Sequence, residues 1–273
     1  MPTEGTDQLK LLGTDEPAPF EVLNPKSEKP LLLVCDHASR RIPLSLGGLG
    51  VDPAVRRCHL AWDIGAGELT RRLAESLGAT AVLQQYSRLV VDCNRQLLDP
   101  GAFLEYGDGM VIDGNRNLNA ETKQARADAI YWPYHQAVAT EIKRLSRNGT
   151  DPSIVAIHSF TPVLNGASRA CQIGILWDAD ERISAPLIRD LRNLDFIVGD
   201  NEPYSGKALQ DFTIDHHAET AGLPHVGLEI RQDLLAFASG VSKMADVLHS
   251  QIERIQSQLH PRDIGSSHAK LPA

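Results

Sequence analysis

Apolar residues fall into two patterns along this chain. In the first, short aliphatic runs end abruptly at polar groups. Leu31–Val34 stops at Cys35, Asp36 and His37; Leu89–Val91 at Asp92, Cys93, Asn94 and Arg95; Ile154–Ile157 at His158 and Ser159; and Val226–Ile230 carries Glu229 and meets Arg231. Such runs predict buried strands. Phe20–Leu23, Ala81–Leu83, Cys171–Trp177 and Asp195–Val198 predict further strands. In the second pattern apolar residues recur three or four apart. Leu69, Leu73 and Leu77 predict a helix over Ile64–Leu77 ended by Gly78, and Val241, Met244, Leu248, Ile252 and Ile255 predict a long C-terminal one. Glu181–Leu194 and Asp211–Ala221 read as shorter helices, Asp52-Pro53 as a helix start, and Ala120–Arg147 as a long helix kinked at Pro133.

Strands and helices alternate throughout, which predicts a single α/β domain over residues 20–260 with a mostly parallel or mixed central sheet flanked by helices. Residues 1–19 read as a loose arm and 261–273 as a tail. The Gly-rich stretch Leu98–Asn119 is long for a loop and is a candidate lid. In open α/β sheets ligands bind where strands end, so the polar groups that terminate the aliphatic runs are the candidate site.

The composition is that of a globular protein, 42% hydrophobic and 23% charged over 273 residues. A net charge of −8 argues against a nucleic-acid or anionic-membrane partner. No apolar run reaches the ~20 residues of a membrane span and no signal peptide is evident. The four cysteines form no C-x-x-C pair; Cys35, Cys93 and Cys171, in or beside apolar runs, read as buried free thiols, which predicts a cytoplasmic protein.

His37 and His158 stand in matching positions after strands, which suits a pair of metal ligands. Asp36, Asp63 and His217 are candidates for a third ligand; Asp63 is equally placed to cap a helix. Arg88, Asn94 and Arg95 suit an anion, because guanidinium forks pair with carboxylates. Glu229, set among apolar residues, suits a general base, and strand alternation puts Arg231 on its face. His216, His217, Glu219 and His225 lie just upstream and read as pocket-lining or exposed positions, or as a metal cluster.

The segments DHASRRIP with GGLG, WDIGAGEL, YSRLVVDCNR, HSF, NEPYSG and HHAETAGLPHVGLEIRQDL, in this order, resemble the N-formylglutamate amidohydrolase family. That family is in turn similar to zinc carboxypeptidases and aspartoacylases, which implies a zinc-carboxypeptidase-like hydrolase fold. By the resemblance His37 and His158 would bind Zn2+, with Asp63 as the chosen third ligand. Arg88 would polarise the scissile carbonyl, while Asn94 and Arg95 would hold the substrate carboxylate. Glu229 would activate water and pass its proton to the leaving nitrogen; Tyr204 would close over the substrate, and His217 and Arg231 would line its pocket. The peptidases place a glutamate ligand three residues after the first histidine. Here that position is Arg40, which with Arg41 would add positive charge for an acidic substrate.

The expected activity is metal-dependent removal of the acyl group from a small anionic N-acyl amino acid, with N-formyl-L-glutamate first. The rivals are a related deacylase or carboxypeptidase-like hydrolase of another substrate, and a metal-free anion-binding protein. A serine hydrolase is disfavoured by the absence of a G-x-S-x-G elbow.

Overall fold

In the computed structural model, which describes residues 10–207 and 211–261, the aliphatic runs form the middle of a seven-stranded sheet. Its strands are β1 (Phe20–Leu23), β2 (Leu31–Cys35), β3 (Thr80–Gln84), β4 (Ser153–Phe160), β5 (Ile173–Leu176), β6 (Val198–Asp200) and β7 (His225–Arg231). They lie in the order β1-β3-β2-β4-β7-β5-β6. The central four, β3, β2, β4 and β7, run parallel. On the flanks, β1 is antiparallel to β3 and β5 to β7, while β6 follows β5 in parallel.

Both faces of the sheet are covered, which is why every residue of β2 and β4 is buried. Leu31, Leu33 and Cys35 face one core with α1 (Ala66–Leu77), α4 (Ser184–Asn193) and α6 (Ala238–Leu259). Leu32 and Val34 face another, built from α3 (Trp132–Leu145) and the segment around Leu89–Cys93. The apolar stripe on α6, from Val241 to Ile255, is buried as its periodicity predicts.

Several elements depart from the sequence pattern. Leu89–Val91 is a buried turn outside the sheet. Its carbonyls are satisfied instead by side chains: Asn115 Nδ2 donates to Leu89 O (2.8 Å) and the buried Arg126 donates to Val90 O (3.1 Å). Pro133 does not break its helix. A π-helical turn at Ala127–Tyr131 joins α2 (Ala120–Arg126) to α3 and places Pro133 in the first turn of α3, where its missing N–H costs no bond. Asp195 has φ 61 and ends α4, so β6 begins three residues later than expected. The helix expected after Asp52 is a single turn, Val55–Arg57. α5 (Phe212–Ile214) runs into a π-helical turn, Asp215–Glu219, before the left-handed Gly222.

The stretch 98–119 is not a free lid. Ala102, Phe103, Ile112 and Asn115 anchor it in the interior, and a hairpin pairing Tyr106–Gly107 with Met110–Val111 forms its tip. Residues 10–19 lie against the body: Leu11 and Leu12 pack on the second core and Tyr86 Oη donates to Pro17 O (2.8 Å). The rest of the expected arm and the tail beyond 261 lie outside the described residues. No helix among the described residues is long and apolar enough to cross a membrane.

Candidate active site

Parallel pairing of β2, β4 and β7 brings their C-terminal ends to one edge. His158 and Glu229 are register partners on β4 and β7, and His37 lies two residues past β2. Asp63 comes from the approach to α1. Its N–H donates to His37 O (3.0 Å), which fixes this segment beside the end of β2. The helix is not capped by Asp63: its N-cap is Gly65, at φ 82, where a Cβ would meet Leu235 Cβ at 2.5 Å. The Asp63 side chain is therefore free to turn inward.

It turns to both histidines. Asp63 Oδ2 lies 3.2 Å from His37 Nδ1 and 2.9 Å from His158 Nδ1, and the ligating atoms of these three buried residues all fall within 4.8 Å of one another. The far nitrogens face carboxylates too. His37 Nε2 is 2.7 Å from Asp92 Oδ1, and His158 Nε2 is 3.3 Å from Asp36 Oδ2. Asp36 is held by Thr213 Oγ1 (2.6 Å), and Asp92 by Arg88 through two hydrogen bonds, 2.9 and 2.6 Å, and by the N–H of Asn94 (2.9 Å). Of the candidate third ligands, Asp63 joins the histidine pair on its inner side and Asp36 supports it from behind.

The charges follow from this geometry. Burial alone would raise the Asp63 carboxyl, but His37 and His158 overcome it and hold it far below the usual carboxylate range. Burial also opposes ionisation of Asp92, where Arg88 and His37 prevail. The reverse holds for the imidazoles. Burial lowers both, and Arg88 further lowers His37, yet Asp92 and Asp63 raise His37, and Asp36 and Asp63 raise His158. Glu229 is different: burial pushes its carboxyl up to about 8, and Oε2 has no hydrogen-bond partner among the described residues.

This cluster fits a divalent cation. Two imidazoles and one carboxylate converge with their inner atoms, and a carboxylate backs the outer nitrogen of each imidazole, as in histidine ligands whose tautomer is fixed from behind. A divalent ion in place of the two histidine protons keeps the cluster's charge unchanged.

The cleft in front of the cluster, about 150 Å³, is lined by His37, Asp63, His158, Glu229, Arg88, Asn94, Arg95 and Tyr204, with Asp211, Ser159 and Phe160. Arg95 has no ion pair or side-chain hydrogen bond among the described residues. Asn94 Oδ1 accepts the N–H of Thr213 (2.9 Å), which turns its NH2 toward Asp211 and the cleft. Tyr204 is half-exposed at the mouth, where its hydroxyl accepts from Arg169 (3.0 Å) and its ring lies 5.1 Å from that guanidinium. Gly174 lets the loop that carries Tyr204 approach: a Cβ there would meet Glu202 O at 2.3 Å and Glu229 Cβ at 3.2 Å.

Two expected site residues are elsewhere. His217 is buried against His135 (3.0 Å between ring nitrogens) and does not line the cleft, because the π-helical turn rolls it beneath α3. Arg231 turns away from Glu229 to Asp233 (2.7 Å) and to the carbonyls of Arg169 and Ala170. Arg40 and Arg41 lie over Trp62 and Tyr86, outside the cleft. Sequence reasoning assigned no role to Asp92 or Asp211. Asp92 stands four residues after Arg88 and two before Asn94, a spacing that could have marked it.

Such a cleft sets a buried carboxyl beside guanidinium groups and a candidate metal cluster, an arrangement that suits a hydrolase acting on amide bonds. The sequence pattern of the N-formylglutamate amidohydrolase family matches residues 29–236, and the chain belongs to that family. Its structure is similar to that of gene product Atu2144 from Agrobacterium tumefaciens, with a TM-score of 0.88 and 36% identity over 92% of this chain and 99% of that one. It is also similar to N-formylglutamate amidohydrolase from Ralstonia eutropha JMP134, with a TM-score of 0.69 and 20% identity over 89% and 98% of the two chains, a likeness of fold. No curated protein matches the chain.

Proposed function

We propose that this enzyme hydrolyses N-formyl-L-glutamate to formate and L-glutamate in the cytoplasm, and that it depends on a zinc ion. The observation that carries the reading is the convergence of His37, Asp63 and His158 on one point beside Glu229 and the unpaired Arg95.

In this reading His37, Asp63 and His158 hold the metal. When bound, it supplies Lewis-acid polarisation of the formyl carbonyl and makes water more acidic. Arg95 and the Asn94 amide hold a substrate carboxylate. Glu229 takes a proton from the attacking water and delivers it to the leaving nitrogen, roles that suit a carboxyl raised by burial. Arg88 presents its Nη1, held only loosely by Asp63 at 3.5 Å, to negative charge developing on the carbonyl oxygen. Tyr204 closes the mouth. Free thiols at Cys35, Cys58, Cys93 and Cys171 accord with a reducing compartment.

A second reading, a deacylase for a longer acyl group, draws on one observation. An outer cavity of about 420 Å³, lined by His59, Asp99 and Asp108, adjoins the cleft and shares Arg88 and Arg95 with it.

The test is a hydrolysis screen of the purified protein, with metal content measured alongside, on N-formyl-L-glutamate, N-acetyl-L-glutamate and N-formyl-L-leucine. Fastest turnover of N-formyl-L-glutamate with about one zinc per chain supports the first reading. Faster turnover of the acetyl compound supports the second, and full activity after chelation removes the metal from the mechanism.

A further inference from the structure

A substrate amide brings an N–H into the cleft, and a buried donor without an acceptor is costly. Most acceptors in the wall are already engaged. Ser159 Oγ accepts from Gln232 Nε2 (3.4 Å), and Thr161 Oγ1 accepts from Val163 N (3.4 Å). Ser205 Oγ accepts from Lys207 N (3.2 Å), and Tyr204 Oη accepts from Arg169. Asp63 serves the two histidines.

Two carboxylate oxygens in the wall are exceptions among the described residues: Glu229 Oε2, which the proposed mechanism already uses, and Asp211 Oδ1. Asp211 lines the cleft, is 6% exposed, and its Oδ1 has no hydrogen-bond partner among the described residues. The side chain packs over Gly227, where a Cβ would come within 3.2 Å of Oδ2. Gly227 lies two residues before Glu229 on β7, hence on the same face. On its other side Asp211 neighbours the Asn94 amide. In an N-acyl α-amino acid the carboxylate and the N–H hang from one carbon. Their partners must therefore be adjacent, as Asn94 and Asp211 are.

We propose that Asp211 is a substrate-binding residue whose carboxylate accepts the amide N–H of the N-acyl amino acid and, after cleavage, the amine of the product. The proposal rests on the functional reading above. It makes the cleft selective for amides over the corresponding esters, which have oxygen in place of N–H.

The test compares metal-loaded wild type with Asp211→Ala and the shape-preserving Asp211→Leu, on N-formyl-L-glutamate and on its ester analogue, 2-formyloxyglutarate. Wild-type turnover of the amide tests the functional reading by itself; if neither compound is turned over, that reading fails and the proposal falls with it. Given wild-type turnover, the variants should lose about tenfold or more in kcat/KM on the amide and less than about threefold on the ester. Equal losses on both compounds in whichever variant folds, checked by its thermal melt, overturn the proposal.

Discussion

Glu229 and His158 face each other across β7 and β4 as register partners, so the proposed base and a proposed metal ligand are fixed by the same backbone ladder. Their separation does not depend on a loop. A shape-conserving change at Glu229 should therefore leave the metal site intact. Glu229→Gln is expected to lower kcat about 10²–10⁴-fold with zinc still bound and KM little changed. Near-normal turnover would remove Glu229 from proton transfer, and loss of zinc would make it a ligand.

His37→Ala or His158→Ala should each abolish stoichiometric zinc binding, measured by elemental analysis after dialysis. Asp63→Ala should do the same without unfolding α1, because the helix is capped at Gly65. Zinc added to the metal-free wild type should release protons, more of them at pH 6 than at pH 8, since the carboxylates of Asp36, Asp63 and Asp92 outweigh burial and favour protonated imidazoles until the metal takes the protons' place. Titration in an unbuffered cell would show it; zinc uptake with no proton release at pH 6 contradicts this ligand set.

Arg95→Ala should raise KM for N-formyl-L-glutamate about 10–100-fold, the range for a charge-assisted hydrogen bond, with a smaller effect on kcat. Steady-state kinetics decide this. A loss confined to kcat would place Arg95 at the reacting carbonyl instead.

The buried pair His135 and His217 predicts an acid-sensitive fold. Burial lowers His135 to about 4 and His217 to about 3, against about 6.5 in the unfolded chain. Between those values the unfolded state binds protons that the folded state refuses, so their contribution to stability falls as pH drops below about 6.5. Each can contribute a slope of about 1.4 kcal/mol per pH unit. Paired urea titrations at pH 7.5, 6 and 5 should show wild type losing stability relative to His217→Gln as pH falls. A constant difference between the two would rule this out.

What the sequence made legible was what backbone periodicity controls. The aliphatic runs before His37 and His158 and around Glu229 are too short for buried helices and are bounded by turn residues, so they read as strands, and parallel pairing then puts their ends together. Leu89–Val91 misled because a buried turn and a buried strand have the same composition. Asn115 and Arg126, distant in sequence, donate to the Leu89 and Val90 carbonyls in place of a neighbouring strand. His217 misled for a related reason: a π-helical turn shifts which residues share a helix face, and nothing local announces it. Asp211 was invisible because its significance lies in lacking a partner, which only the assembled cleft reveals.

Asp92 binds His37 with one oxygen and Arg88 with the other. One carboxylate thus answers to two demands, the orientation of a proposed metal ligand and the placement of the guanidinium proposed to face the reacting group. A lineage drifting toward a new substrate could not retune one without disturbing the other. Its readier routes of divergence run through the residues with a single obligation, Arg95, Tyr204 and the outer cavity at His59 and Asp108, where specificity can change while the chemistry is inherited intact.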